Sequence, residues 1–306
     1  MTRRLATLAL LPLLALMFAG SPAAAQQLEL VNAESFYPEG PLWYRGRLLY
    51  TEMVRHRLMV WDGKANKEFA RLPECGPTSI APLGDGSLMV TCHLFHQLRR
   101  VSADGRTLAT IERDSEGRRF VYPNDSISDG QGGAWFSSSG EFDLGAPPTG
   151  TIYHLSAKGV LRPIVDTIRY ANGVARTADG KRLLVSEHLN RKVLSFRIGA
   201  DGALDDRRLF FDLAGAPAVS DPDPLAGPDG IEVARDGTTY VAEYGAGRIL
   251  ILTPDGRLVH TLPVPDKYVT NVALDDHQRI LYITSPASNT QPPFRGSVWR
   301  IAVPLE

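Results

Sequence analysis

The chain of 306 residues carries 33 lysines and arginines against 34 aspartates and glutamates, a formal net charge of −1 at pH 7 with the two signs interspersed. That balance offers neither a basic stripe nor an acidic block, so nucleic acid is not an expected partner. At 43% apolar residues the composition is that of a globular chain with a sizeable core.

Arg3 and Arg4 precede an apolar run from Leu8 to Phe18 and a small-residue exit at Ala23-Ala24-Ala25. This pattern predicts a secretory signal over residues 1–25, cleaved after Ala25. The apolar run is well short of the roughly 20 residues that span a bilayer, so no stable membrane anchor is expected. The mature chain, 26–306, is then expected to be a single periplasmic or secreted domain with a charge of about −3. Cys75 and Cys92 are its only cysteines. An oxidising compartment lets them pair if their strands meet, and otherwise they stay a free buried pair. They have neither CxxC spacing nor nearby histidines to form a zinc site.

Beyond the leader, short alternating or β-branched runs recur between Asp-Gly pairs at Asp62, Asp85, Asp104, Asp129, Asp179, Asp201, Asp236 and Asp255. Such pairs suit tight hairpins, because glycine takes positive φ at low steric cost. Six repeats begin near Glu39, Thr78, Asn124, Asn172, Asp229 and Asn271, at intervals of about 39 to 57 residues. These bracket the roughly 40 to 50 residues of a four-stranded propeller blade. The sequence therefore predicts an all-β, six-bladed β-propeller, with Leu28 to Val31 supplying the last blade's outer strand and removing an exposed edge. Ser137 to Thr149, with Gly140, Gly145, Pro147 and Pro148, reads as an irregular loop overhanging the channel mouth.

Equivalent positions of a propeller's inner strands face one channel, so Glu39, Asn124, Asn172 and Asp229 are predicted to converge. Two carboxylates and two amides make an oxygen-only set suited to one hard divalent cation, Ca2+ first, Mg2+ or Mn2+ next, with Zn2+ less natural. Each residue alone is better explained as a turn or loop residue, and only their recurrence at corresponding repeat positions favours a shared site. Together, Glu39 and Asp229 would repel in a buried channel unless a cation lay between them. His93, His96, His188, Tyr122 and Asn271 are further channel candidates for contact with a small-molecule substrate. Glu187 and Glu243 follow apolar strands and either line the ring or cap it. No Gly-x-Ser-x-Gly elbow occurs, which leaves a serine hydrolase of the α/β type unsupported.

The motifs Glu39-Gly-Pro-Leu-Trp, Pro123-Asn124-Asp125, Gly132-Gly133-Ala134-Trp135-Phe136, Asn172-Gly173-Val174, Asp229-Gly230-Ile231 and Thr270-Asn271-Val272 run through nearly the whole mature chain. On them the chain resembles the SMP-30/gluconolactonase/regucalcin-like (LRE-like) family of six-bladed propellers. The resemblance implies that Glu39, Asn124, Asn172 and Asp229 bind the catalytic cation, that Asp229 acts as general base, and that the reaction is hydrolysis of a small sugar lactone. Two departures bear on the substrate. Gly76-Pro77-Thr78 stands where many lactonases have Asn-Gly, and Tyr122 where the regucalcin branch tends to have arginine. The alternatives are an organophosphate or aryl ester hydrolase on the same ring, or a non-catalytic binding propeller of the cell envelope whose metal is structural.

Overall fold

The computed structural model describes residues 27–303; the predicted signal segment lies outside the described residues. Six four-stranded antiparallel sheets make up the fold, five of them meanders whose first strand is innermost and the sixth completed at its outer edge by the N-terminal strand. The inner strands are Pro38–Tyr44 in blade 1, Pro77–Pro82 in blade 2, Pro123–Ser128 in blade 3, Ala171–Arg176 in blade 4, Gly227–Val233 in blade 5 and Asn271–Leu274 in blade 6. Each touches the next in turn, and blade 6 touches blade 1, so the sheets close into a six-bladed β-propeller. All six predicted repeat starts fall inside these strands.

Closure is made by the N-terminal strand Glu29–Phe36, which pairs with the last strand, Arg295–Ala302, as the outer strand of blade 6. It runs five residues beyond the Val31 limit expected from the sequence. Thr270 Oγ1 adds a direct tie between the first and last blades by donating to the Pro38 carbonyl at 2.9 Å. The core is distributed between blades, because successive side chains of a strand point to opposite sheet faces. Leu49 and Leu58 of blade 1 pack with Ile80 and Val90 of blade 2, and Tyr240 and Ile249 of blade 5 with Val272 and Leu281 of blade 6.

The glycines of the eight Asp-Gly pairs at Asp62, Asp85, Asp104, Asp129, Asp179, Asp201, Asp236 and Asp255 have positive φ, between +67° and +94°, and sit between consecutive strands of a blade. Asn172-Gly173 and Asp229-Gly230 behave differently: they lie within inner strands, so the turn explanation does not apply to them. The irregular insert also begins later than the sequence suggests. Ser137 and Ser138 still belong to the strand Ala134–Ser138, where they pair with Ile152 and Thr151, leaving 139–149 as loop.

Cys75 and Cys92 form a disulfide that ties the connection leaving blade 1 to the end of the second strand of blade 2. The bond closes a loop of 17 residues. A cross-link over such a loop restricts the unfolded chain by about 3 kcal/mol. The double variant Cys75→Ala/Cys92→Ala is expected to unfold at lower denaturant concentration, with a loss of about that size. An unchanged midpoint would show that the bond contributes nothing.

Candidate active site

Glu39, Asn124, Asn172 and Asp229, from blades 1, 3, 4 and 5, line one cavity of about 260 Å3. Each sits at or near the start of its inner strand and is at least nine-tenths buried. Hydroxyls of the preceding blade hold two of these residues by their backbone. Thr78 Oγ1 and Thr91 Oγ1 donate to the Asn124 carbonyl at 2.8 and 2.6 Å, and Ser186 Oγ donates to the Asp229 carbonyl at 2.7 Å.

The two amides are oriented by what their nitrogens bind. Asn124 Nδ2 donates to Ser139 Oγ at 3.1 Å. His188 donates from Nε2 to the Leu225 carbonyl at 2.9 Å, which leaves its Nδ1 as an acceptor facing Asn172 Nδ2 at 3.5 Å. With its nitrogen so placed, Asn172 Oδ1 is buried without any hydrogen-bond partner. A buried carbonyl oxygen left bare costs about 1 to 3 kcal/mol, so its lack of a partner calls for an explanation.

Electrostatics point the same way. Burial pushes the Glu39 carboxyl well above the ordinary carboxylate range, and the charges of Asp229 and Asp125 push it further. Asp229 is raised in the same manner, by burial first and by Asp125 second. Among the described residues neither lysine nor arginine lines the cavity to offset them. Buried like charges without a counter-ion are unfavourable, so this ring holds either protons or a cation. Among the described residues no group of three or more His, Cys, Asp or Glu side chains forms a metal cage. A cation would therefore depend on the amide oxygens as well, and two carboxylates with two free amide oxygens suit a hard ion better than zinc.

The other predicted residues separate clearly. His93 and His188 line the cavity. Tyr122 is not among its lining residues; its ring packs against His93 and His96, with centroids 5.0 and 4.3 Å away. Asn271 does not line it either, since its amide donates to Asp125 Oδ1 at 3.4 Å and accepts from the Val272 N–H at 2.8 Å. Glu187 and Glu243 act as caps: Glu187 pairs with Arg207 at 3.1 Å, and Glu243 pairs with Arg191 and Arg248 at 3.1 and 2.5 Å.

Asp125 had no role in the sequence reading beyond its place in a motif. Its fully buried carboxylate accepts from the Ser126 N–H at 2.9 Å, from Asn271, and from the Val174 N–H at 3.0 Å, joining blades 3, 4 and 6 beside the ring. Burial and the charge of Asp125 also push Glu232, on the blade 5 inner strand, up to about 8. A second omission is the aromatic wall of Tyr37, Phe142, Tyr170 and Tyr244. A signal existed for part of it. Tyr37, Tyr122 and Tyr170 each stand two residues before a ring residue, and all three are left-handed, with φ of 47°, 53° and 60°. Non-glycine residues held at positive φ are strained and cluster at functional sites.

His188 gives a test of burial. Its imidazole is pushed down to about 4, chiefly by burial. Its folded value thus lies below the unfolded value of about 6.5, so stability is full above about 6.5 and falls as pH drops toward 4. Replacing His188 by Gln is expected to make the decline of unfolding free energy between pH 6.5 and 4 shallower, by about 3 kcal/mol over that window. Parallel curves for the two proteins would show that His188 does not titrate in this way.

The chain is thus a closed six-bladed propeller with carboxylate and amide side chains gathered in one cavity where its inner strands converge. A family model described as SMP-30/Gluconolactonase/LRE-like region matches residues 37–287, and the chain belongs to that family. Regucalcin of Pongo abelii is 24% identical over 279 residues, covering 86% of this chain and 89% of that protein. Diisopropyl-fluorophosphatase of Loligo vulgaris is 23% identical over 201 residues, 62% of each chain. The solved gluconolactonase of Xanthomonas campestris superposes with a TM-score of 0.74 at 25% identity, covering 91% of this chain and 90% of its own.

Proposed function

We propose that the protein is an exported, divalent-cation-dependent hydrolase that opens a small lactone, with Glu39, Asn124, Asn172 and Asp229 as the residues that hold the ion. The observation that carries this reading is the pairing, in one cavity, of two unneutralised carboxylates with the bare Asn172 Oδ1. Ca2+ fits this donor set best, ahead of Mg2+, Mn2+ and Zn2+. Family membership and the likeness to a gluconolactonase support the lactone, and the Cys75–Cys92 bond supports an oxidising compartment outside the cytoplasm.

A bound divalent cation supplies Lewis acidity for the lactone carbonyl and charge for the tetrahedral oxyanion. The chain supplies the rest. Asp229 is the base that takes a proton from the attacking water, whose oxygen bonds to the carbonyl carbon. The ring C–O bond then breaks, and the leaving alkoxide is protonated to give the hydroxy acid. Asp229 can accept a proton only when ionised, a state that burial opposes and a neighbouring positive charge enforces. The hydroxyls of Tyr37 and Tyr244 face each other at 3.3 Å, and burial raises both well above the ordinary phenol value, so they remain neutral donors.

Chelation followed by return of single metals tests the proposal. Acid release from lactones is expected to fall by at least about 100-fold and to be restored best by Ca2+. Turnover untouched by chelation would remove the cation from the mechanism. The similarity to a diisopropyl-fluorophosphatase supports a second reading, in which a phosphotriester or aryl ester is the substrate. Including both ester types beside lactones in the same assay distinguishes the two readings.

A further inference from the structure

We infer that the cavity selects a neutral lactone whose non-reacting part is apolar and planar, and that Phe142 is the residue that sets this preference. The inference rests on the lactonase reading above and concerns the part of the site that does no chemistry.

Phe142 comes from the irregular loop of blade 3, yet its ring reaches across blades 4 and 5. Its centroid lies 4.7 Å from Tyr170, 5.3 Å from His188 and 6.4 Å from Tyr244. The loop is pinned in that place: Arg169 Nη1 donates to the carbonyls of Leu144 and Ala146 at 2.8 and 3.2 Å. The wall is thus a set of aromatic faces fixed from several blades. Phe142 itself is 37% exposed, so one side of its ring is open to an incoming molecule. Leu144, two residues further along the loop, and Leu94 and Phe95, which directly follow the cavity residue His93, extend exposed apolar surface from the same segments.

Several of the cavity's polar side chains are already engaged, which leaves few neutral donors for a polyhydroxylated ring, among them Asn289 and one O–H of the Tyr37–Tyr244 pair. The Tyr37 and Tyr244 hydroxyls engage each other, and Thr78 Oγ1 is spent on the Asn124 carbonyl. His93 Nδ1 bonds the Pro123 carbonyl at 3.2 Å, leaving Nε2 as an acceptor. Burying a sugar hydroxyl against such a wall without a partner costs free energy, whereas an aryl or alkyl ring gains it. An anionic substituent finds no lysine or arginine lining the cavity among the described residues. The volume of about 260 Å3 falls just below that of pockets for drug-sized ligands, which sets the scale at one or two fused rings.

The test compares kcat/KM of the Ca2+-loaded protein for 3,4-dihydrocoumarin, glucono-1,5-lactone and 6-phosphoglucono-1,5-lactone, followed by proton release. Dihydrocoumarin is expected to lead gluconolactone by at least about tenfold, with the phosphorylated lactone slowest. In Phe142→Ala the ratio of the first two is expected to fall toward one, through KM for dihydrocoumarin. Phe142→Leu, which keeps apolar bulk, should lie between, and unfolding midpoints confirm that the variants are folded. Gluconolactone turned over as well as dihydrocoumarin, or a ratio unmoved by Phe142→Ala, would overturn the selectivity while leaving the lactonase reading in place. Turnover of none of the three overturns the lactonase reading, and the selectivity with it.

Discussion

Asp229→Asn is expected to lower kcat for lactone hydrolysis by about 1000-fold, the scale on which loss of a positioned general base is felt, with the fold left intact. The substitution keeps size and shape and removes only the ability to carry charge and accept the proton. Its consequences for stability follow from the buried position of the side chain. Burial and Asp125 hold the Asp229 carboxyl well above the usual range, so in the cation-free protein its charged form is disfavoured, and an amide in its place costs little. With cation present the comparison reverses. Ligand that binds only the native state stabilises it by RT ln(1 + [L]/Kd), and a ring reduced to one carboxylate, Glu39, binds a divalent ion more weakly. Wild-type protein is therefore expected to gain several degrees of melting temperature on Ca2+ addition, and Asp229→Asn markedly less. Ser186→Ala, which removes only the 2.7 Å support of the Asp229 carbonyl, should cost less than either effect. A kcat for Asp229→Asn within tenfold of wild type would exclude Asp229 as the base.

How far the sequence carried this site depends on which link in the chain of causes each residue obeys. A closed ring of repeats turns linear spacing into angular position, and for that reason Glu39, Asn124, Asn172 and Asp229 could be brought to one cavity without coordinates. The Asp-Gly hairpins were equally legible, because positive φ is a local requirement that glycine meets at every one of the eight pairs. Side-chain direction is not local. Tyr122 shares its repeat position and its left-handed backbone with Tyr37 and Tyr170, yet it turns onto His96 while they face the cavity. Asn271 shares the motif of a ring residue but sits one place along its strand, with Thr270 aligned to the ring, and its amide is spent on Asp125. Phe142 reached the cavity from a loop whose path no periodicity encodes.

Gly173→Ala and Gly230→Ala are expected to be strongly damaging although neither residue belongs to the ring itself. A Cβ on Gly173 would lie 2.1 Å from the Asp229 carbonyl oxygen and 2.9 Å from the Gly230 Cα, both backbone atoms that cannot swing aside. A Cβ on Gly230 would lie 2.0 Å from Asn271 Oδ1 and 2.7 Å from its Cα. Relief requires blades 4, 5 and 6 to move apart at the axis, against a closed ring in which every other blade is already in place. Overpacking of a tight interior costs about 1 to 3 kcal/mol and more where the obstacle is backbone, so a loss of about 3 kcal/mol or more is expected for each. The same displacement moves Asp229 relative to Asn172, so Ca2+ affinity measured by calorimetry should fall together with stability. Gly159→Ala provides the contrast. Its φ of +81° makes alanine strained, but no atom lies within 4 Å of the added carbon. That site should lose about 1 to 2 kcal/mol, the cost of a left-handed alanine, with Ca2+ affinity unchanged. If Gly173→Ala and Gly159→Ala proved equally mild and both bound Ca2+ like wild type, close approach of the inner strands would not be what positions the ring.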